Sequence, residues 1–113
     1  MAFKGDLEAL ILGVLQDRSA HGYEIAKRIS SRTDKLVSVG EGQLYPALHK
    51  MEQRALIAAE WVPQEGKPAR KVYQITPAGT EELARHRSMW ERLSSGIASI
   101  LSATALEEAK KHG

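Results

Sequence analysis

The sequence contains no cysteine, which excludes disulfide bonds and thiolate metal sites. It also lacks a long apolar run, because the longest, around residues 10–15, is far too short and interrupted to span a bilayer. The N-terminus has no basic stretch leading into an apolar segment and therefore predicts no secretory signal. With 113 residues, the chain is expected to form one core. Together these features predict a cytoplasmic protein with no membrane partner.

The residue patterns that catalysis would require are missing as well. The four histidines are scattered and form no H-x-x-x-H pair. Residues 40–42 read Gly-Glu-Gly but lack the Gly-Lys-Ser/Thr ending of a phosphate-binding loop. No nucleophile lies in a recognisable elbow motif. We therefore expect no enzyme, no cofactor and no metal site.

Positive charge gathers in the middle of the chain. The formal net charge is only +2, yet residues 18–35 hold five lysines and arginines against two carboxylates. Lys67, Arg70 and Lys71 form a second basic group. This distribution favours an anionic partner, although a solvated helix face beside a basic turn would show it too.

Two amphipathic helices are predicted in the first third of the chain. Apolar residues recur at helical spacing from Leu7 to Leu15, and Asp6 stands where an N-cap would. Residues 19–22 are predicted to form a short turn. The second helix directs Ile25 and Ile29 inward. Its outward cations are Lys27, Arg28 and Arg32.

A third helix is predicted from about Gln43, after a polar connector. Pro46 is expected near its first turn, because a proline further inside would break the backbone hydrogen bonds. The inward stripe comprises Leu44, Leu48, Met51 and Ala55. A period of 3.6 residues places a carboxylate-free face on the opposite side, comprising Gln43, Pro46, His49, Lys50 and Gln53.

A hairpin and a long helix are predicted in the rest of the chain. Residues 56–62 and 71–75 alternate as strands do, and the segment between them, 63–68, is rich in turn residues. Thr76-Pro77 supplies an N-cap and a proline at the first helical position. The last helix is predicted to continue to about Ser102.

This order of elements predicts a mainly α (α+β) winged helix-turn-helix with a long C-terminal dimerisation helix. We assign residues 1–76 to the DNA-binding domain and residues 77–113 to the dimerisation helix and tail. In a winged helix the third helix enters the major groove of DNA, and the hairpin lies along the backbone or minor groove. A winged helix that binds a protein instead of DNA is the alternative, and it would need an exposed apolar face on the third helix or the wing.

Three elements carry the predicted DNA contacts. The polar face of the third helix can hydrogen-bond base edges, and its lysine can reach a phosphate or a guanine. The cations of the wing can contact phosphates or a narrow minor groove, and the cations of the second helix can contact the DNA backbone. The residues concerned are Lys27, Arg28, Gln43, His49, Lys50, Gln53, Lys67, Arg70 and Lys71.

Apolar residues recur along the last helix at alternating spacings of four and three, the pattern of a helix packed on another helix. Three short helices and a hairpin cannot cover so long a stripe, so a symmetric homodimer is predicted. The alternative is a helix folded back on its own core. The seam comprises His86, Trp90, Leu93, Ile97 and Ile100, widened by Leu83, Met89 and Leu101.

Three segments resemble motifs of PadR-type transcriptional regulators. Residues 21–25 resemble the His-Gly-Tyr motif, and residues 41–48 resemble the Gly-x-Leu-Tyr-Pro-x-Leu signature of the recognition helix. Residues 70–79 are similar to the second wing strand and the start of the dimerisation helix. The similarity covers roughly residues 6–100 and points to the short branch of the family, which has a single C-terminal helix.

The resemblance implies a homodimeric bacterial repressor that binds a palindromic operator in double-stranded DNA and is often released by a small aromatic or hydrophobic effector. By position, it adds Tyr23 and Tyr45 to the DNA contacts and retains Gln43 and Lys50, together with a wing cation. In multidrug-sensing members a tryptophan from each subunit stacks on flat ligands, and Trp90 occupies the corresponding place. Packing within the apolar seam is the alternative role for Trp90.

Overall fold

A computed structural model describes residues 6–102 of the chain. Residues 1–5 and the tail 103–113, which belong to the two predicted domains, lie outside these described residues. The chain forms two compact units, the first up to Leu83 and the second from Ala84 onward. The predicted α+β winged helix is confirmed. Its elements are α1 (Leu7–Leu15), β1 (Ala20–His21), α2 (Gly22–Arg32), α3 (Glu41–Gln53), β2 (Ile57–Gln64), β3 (Lys67–Ile75) and α4 (Pro77–Leu101).

An aliphatic core holds the first unit together. The apolar stripes of α1, α2 and α3 meet there, joined by the start of β2 and by Tyr73 of β3. Each large side chain removed from water contributes about 1.5–3 kcal/mol before conformational entropy is subtracted. The largest fully buried side chains are Ile11, Leu12, Leu15, Ile25, Ile29, Leu44, Leu48, Met51 and Ile57.

The wing is the hairpin of β2 and β3, and it belongs to an antiparallel sheet with the strand order β1-β3-β2. The segment predicted as a turn at residues 19–22 instead supplies β1, in which Ala20 lies opposite Tyr73. The turn between β2 and β3 is also shorter than predicted, because Pro63 and Pro68 lie within the strands. Pairing between β2 and β3 shifts register between Val62 and Gln64.

Helix α3 begins and ends earlier than predicted. It starts at Glu41, so Pro46 lies inside the helix instead of in its first turn. It ends at Gln53, so Ala55, predicted to lie on the buried stripe, is beyond the helix, exposed and at a φ of 60°. The predicted cap of α1 is also different: Asp6 precedes the helix, but its backbone is already helical and its side chain makes no cap hydrogen bond.

The start of α4 is held against the connection between α3 and β2. Thr76 Oγ1 accepts a hydrogen bond from the Gly79 N–H at 3.0 Å, which confirms the predicted cap, and donates one to the Ala55 carbonyl at 2.7 Å. A β-carbon at Gly79 would clash with the Leu56 carbonyl oxygen, so only glycine permits this approach. Leu83, which we assigned to the dimer seam, is only 7% exposed and packs in the core of the first unit.

The second unit, described by itself, continues α4 from Ala84 to Leu101. Trp90 is half-buried, and the other side chains from residue 91 to residue 101 are exposed. Among residues 6–102, no helix combines the length and the apolar composition that crossing a membrane requires. The large apolar side chains that this unit exposes are Met89, Leu93, Ile97, Ile100 and Leu101.

Candidate nucleic-acid interface

Helix α3 presents a polar face to solvent. Leu44, Leu48 and Met51 anchor the opposite face in the core. The outward side chains carry amide, imidazole and ammonium groups, which donate or accept hydrogen bonds at base edges and phosphates. The predicted exposure of this face is therefore confirmed for Gln43, Pro46, His49, Lys50 and Gln53.

Two of the sequence motifs contact each other at the start of α2. His21 caps this helix, because its Nδ1 atom accepts a hydrogen bond from the Glu24 N–H at 3.3 Å. A β-carbon at Gly22 would stand 2.7 Å from the Tyr45 hydroxyl oxygen, so the glycine lets α3 lie close to α2. The Tyr23 ring stacks on the ring of His21, with centroids 6.3 Å apart, and remains 71% exposed.

Arg28 does not have the free guanidinium that the sequence predicted for a backbone contact. Its Nη1 atom donates to the Val14 carbonyl at 3.1 Å, and its Nη2 atom donates to the Ser19 carbonyl at 3.3 Å and to Glu24 at 3.1 Å. The side chain is 10% exposed. Although burial acts to raise the pKa of the Glu24 carboxyl, the hydrogen bond and charge of Arg28 hold it below its ordinary value. Arg28 therefore fastens α2 to the end of α1.

The wing cations fall into two kinds. Lys67 and Arg70 are exposed. Lys71 is only 33% exposed, and its Nζ atom lies 2.9 Å from the Glu52 Oε1 atom of α3. The neighbouring carboxylate raises the pKa of Lys71, although partial burial opposes this shift. Lys71, assigned to DNA from the sequence, is thus already engaged by a carboxylate.

A cleft between the start of α2, the outer side of α3 and the wing brings part of the predicted set together. It also contains Trp61, which is 66% exposed, and Glu52, neither of which the sequence analysis assigned to a site. No sequence signal marked the pairing of Trp61 with Lys71, because the two residues lie opposite each other only through the register shift between Val62 and Gln64. The predicted residues that line this cleft are Tyr23, Tyr45, His49, Arg70 and Lys71.

The remaining predicted contacts lie outside this cleft. Gln43 and Lys50 border a second groove, formed by α3, α1 and the connector at residues 36–39. Lys27 borders a hollow between α2 and the start of α3, which Tyr23 and Tyr45 also line. Tyr23 and Tyr45 therefore line both the cleft beside the wing and the hollow beside α2.

Three helices followed by a small antiparallel wing define the winged helix-turn-helix class of protein. The profile of the Transcriptional regulator PadR-like family matches residues 11–85, two thirds of the chain. The chain therefore belongs to the PadR-like family of transcriptional regulators.

Similar proteins come from several bacteria. Transcriptional regulator Rv3488 of Mycobacterium tuberculosis is 34% identical over 95 residues, which cover 84% of this chain and 85% of that protein. The PadR-like regulator BC4206 of Bacillus cereus has a TM-score of 0.77 at 30% identity, covering 89% of this chain and 96% of that one. Bacillus subtilis PadR, solved in complex with operator DNA, has a TM-score of 0.64 at 29% identity, covering 70% of this chain and 45% of that one.

Proposed function

We propose that this chain is a homodimeric repressor that binds a palindromic operator through α3 and the wing and releases it when a small effector binds. The observation that carries the DNA-binding part is the exposed, carboxylate-free face of α3, flanked by wing cations. The structural likeness to a PadR protein in complex with operator DNA supports the same assignment. Such a regulator works in the cytoplasm, where a bacterial chromosome lies.

The exposed side chains divide by chemistry. Gln43, His49 and Gln53 can exchange hydrogen bonds with base edges in a major groove, so we assign sequence reading to them. Lys50 can bind a guanine edge or a phosphate. The remaining exposed side chains can contact the DNA backbone and fix the orientation of the protein on the duplex, and such contacts carry no direct sequence information. This backbone set comprises Tyr23, Lys27, Tyr45, Lys67 and Arg70.

The dimer part of the proposal rests on the second unit. Leu93, Ile97 and Ile100 are exposed and share the seam that the four-and-three spacing predicts. A second copy offers the same apolar stripe, so a two-fold interface would cover both. Two winged helices related by a two-fold axis match the two half-sites of a palindrome.

The effector part rests on Trp90, which lies in the same seam and is half-buried. An indole ring there can stack on a flat aromatic molecule, with the apolar neighbours excluding water. We therefore propose a small aromatic or hydrophobic compound as the effector.

Selection of genomic fragments by the purified chain tests the proposed DNA binding. Fluorescence anisotropy then measures the affinity for the enriched duplex across a salt series. We expect one enriched palindrome and a logarithmic salt dependence with a slope of about −0.9 for each neutralised phosphate. A failure to enrich any fragment, with binding that does not respond to salt, would contradict direct DNA binding. It would favour the protein-interaction alternative.

Intrinsic fluorescence tests the effector part. The chain has two tryptophans, so Trp61→Phe leaves Trp90 as the sole indole reporter. A panel of flat aromatic compounds should quench this variant, and the quenching compound should weaken operator binding. If no member of a broad panel quenches Trp90, the indole only packs within the seam.

A further inference from the structure

We propose that Glu52 holds Lys71 away from the DNA backbone. Without this ion pair, the winged helix would make one more phosphate contact, through Lys71. Glu52 is then a positioning residue that limits binding to non-operator DNA. The inference rests on the proposed DNA binding, and it concerns a carboxylate that the predicted interface did not include.

The geometry encloses the Lys71 ammonium on several sides. Its Nζ atom lies 2.9 Å from the Glu52 Oε1 atom, which is itself buried. It also lies 6.0 Å from the centroid of the Trp61 ring and 5.4 Å from that of the Tyr73 ring. A cation over an aromatic face gains electrostatic stabilisation, so the rings favour the same position as the carboxylate does.

Position makes this ion pair relevant to DNA. Glu52 projects from α3 and Lys71 from β3, so the pair joins the recognition helix to the wing. Both line the cleft that contains His49 and Arg70. A phosphate that recruited Lys71 would compete with Glu52 for the ammonium, and the carboxylate would then lie beside the DNA.

The expected consequence is a change in salt dependence. A phosphate contact releases condensed counterions, which adds about −0.9 to the logarithmic slope of affinity against salt. Over a fourfold rise in salt, one extra contact makes affinity fall about 3.5-fold more. Random-sequence duplex is the right probe, because backbone contacts supply essentially all of its binding.

The experiment measures binding of the full chain and five variants to one random duplex between about 50 mM and about 200 mM salt. Glu52→Gln should steepen the slope by about 0.9, because the freed Lys71 reaches a phosphate. Lys71→Gln should leave the slope unchanged, whereas Arg70→Gln should reduce its magnitude by about 0.9. The double variant Glu52→Gln/Lys71→Gln should return to the wild-type slope.

Glu60→Gln is the matched control, since it removes an exposed carboxylate from β2 and should leave the slope unchanged. If Lys71→Gln reduces the magnitude of the slope as much as Arg70→Gln does, Lys71 contacts phosphate in the wild type and the inference is overturned. It is also overturned if the steepening survives in the double variant, because general charge repulsion then explains it. A wild-type chain with no salt-dependent binding would overturn the proposed DNA binding as well, which distinguishes the two failures.

Discussion

The two units treat apolar side chains in opposite ways. The first unit packs nine large side chains into a fully buried core, and among its described residues the exposed large apolar side chains are Tyr23, Leu36, Tyr45, Trp61 and Val62. The second unit is a length of α4 in which every described large apolar side chain except the half-buried Trp90 is exposed. A unit with its own core can fold by itself, whereas an amphipathic helix gains most of its stability from what it packs against. The contrast supports the proposal that the first unit contacts DNA and the second unit self-associates and binds the effector.

The largest expected effect comes from Ile97→Glu. In a two-fold interface this change buries two carboxylates without partners, and each costs several kcal/mol. Sedimentation should therefore find monomers at concentrations where the wild type is dimeric. Ser95→Glu, on the other side of the helix, is the matched control and should remain dimeric. An intact dimer of Ile97→Glu would mean that the seam is placed on the wrong face.

The next effect is on the core of the first unit. Leu48→Ala should lower the free energy of unfolding by about 2–5 kcal/mol, because it leaves a cavity where a fully buried side chain stood. Leu36→Ala, at a side chain that is 87% exposed, should change it by less than about 0.5 kcal/mol. Denaturant unfolding measures both. Equal effects at the two positions would show that the first unit does not fold around the assigned core.

A smaller effect is expected at the junction between α3, the wing and α4. Thr76→Ala removes the hydroxyl that caps α4 and should cost about 1 kcal/mol in denaturant unfolding. Thr80→Ala removes only an exposed hydroxyl that donates to the Thr76 carbonyl, so its cost should be smaller. If both variants unfold at the same denaturant concentration as the wild type, the cap does not stabilise this junction.

Much of the fold was predictable because each helix carries its own local signal. The buried stripe of α3 follows from the spacing of Leu44, Leu48 and Met51, and Thr76-Pro77 marks the start of α4 by local chemistry. Strand β1 escaped prediction because two residues cannot display alternation. It exists only through pairing with β3, far along the chain.

The candidate site was predictable as a set of exposed residues but not as a set of partners. The register shift near Val62 places Trp61 opposite Lys71, whereas a regular hairpin closed by Glu65 and Gly66 would place it opposite Arg70. The ion pair of Lys71 with Glu52 follows from this tertiary arrangement. Likewise, the hydrogen bonds of Arg28 to the end of α1 depend on how two helices meet, which helical periodicity does not specify.

The most direct test of the central claim compares two cations in one salt titration on operator DNA. Lys50→Ala removes the exposed ammonium of α3, whereas Arg32→Ala removes a guanidinium that lies 3.0 Å from the Asp17 carboxylate. If the outer face of α3 lies against the duplex, Lys50→Ala weakens operator binding and, where the ammonium contacts a phosphate, also reduces the slope magnitude by about 0.9, whereas Arg32→Ala changes neither. A Lys50→Ala variant with both the affinity and the slope of the wild type would place the DNA on another surface.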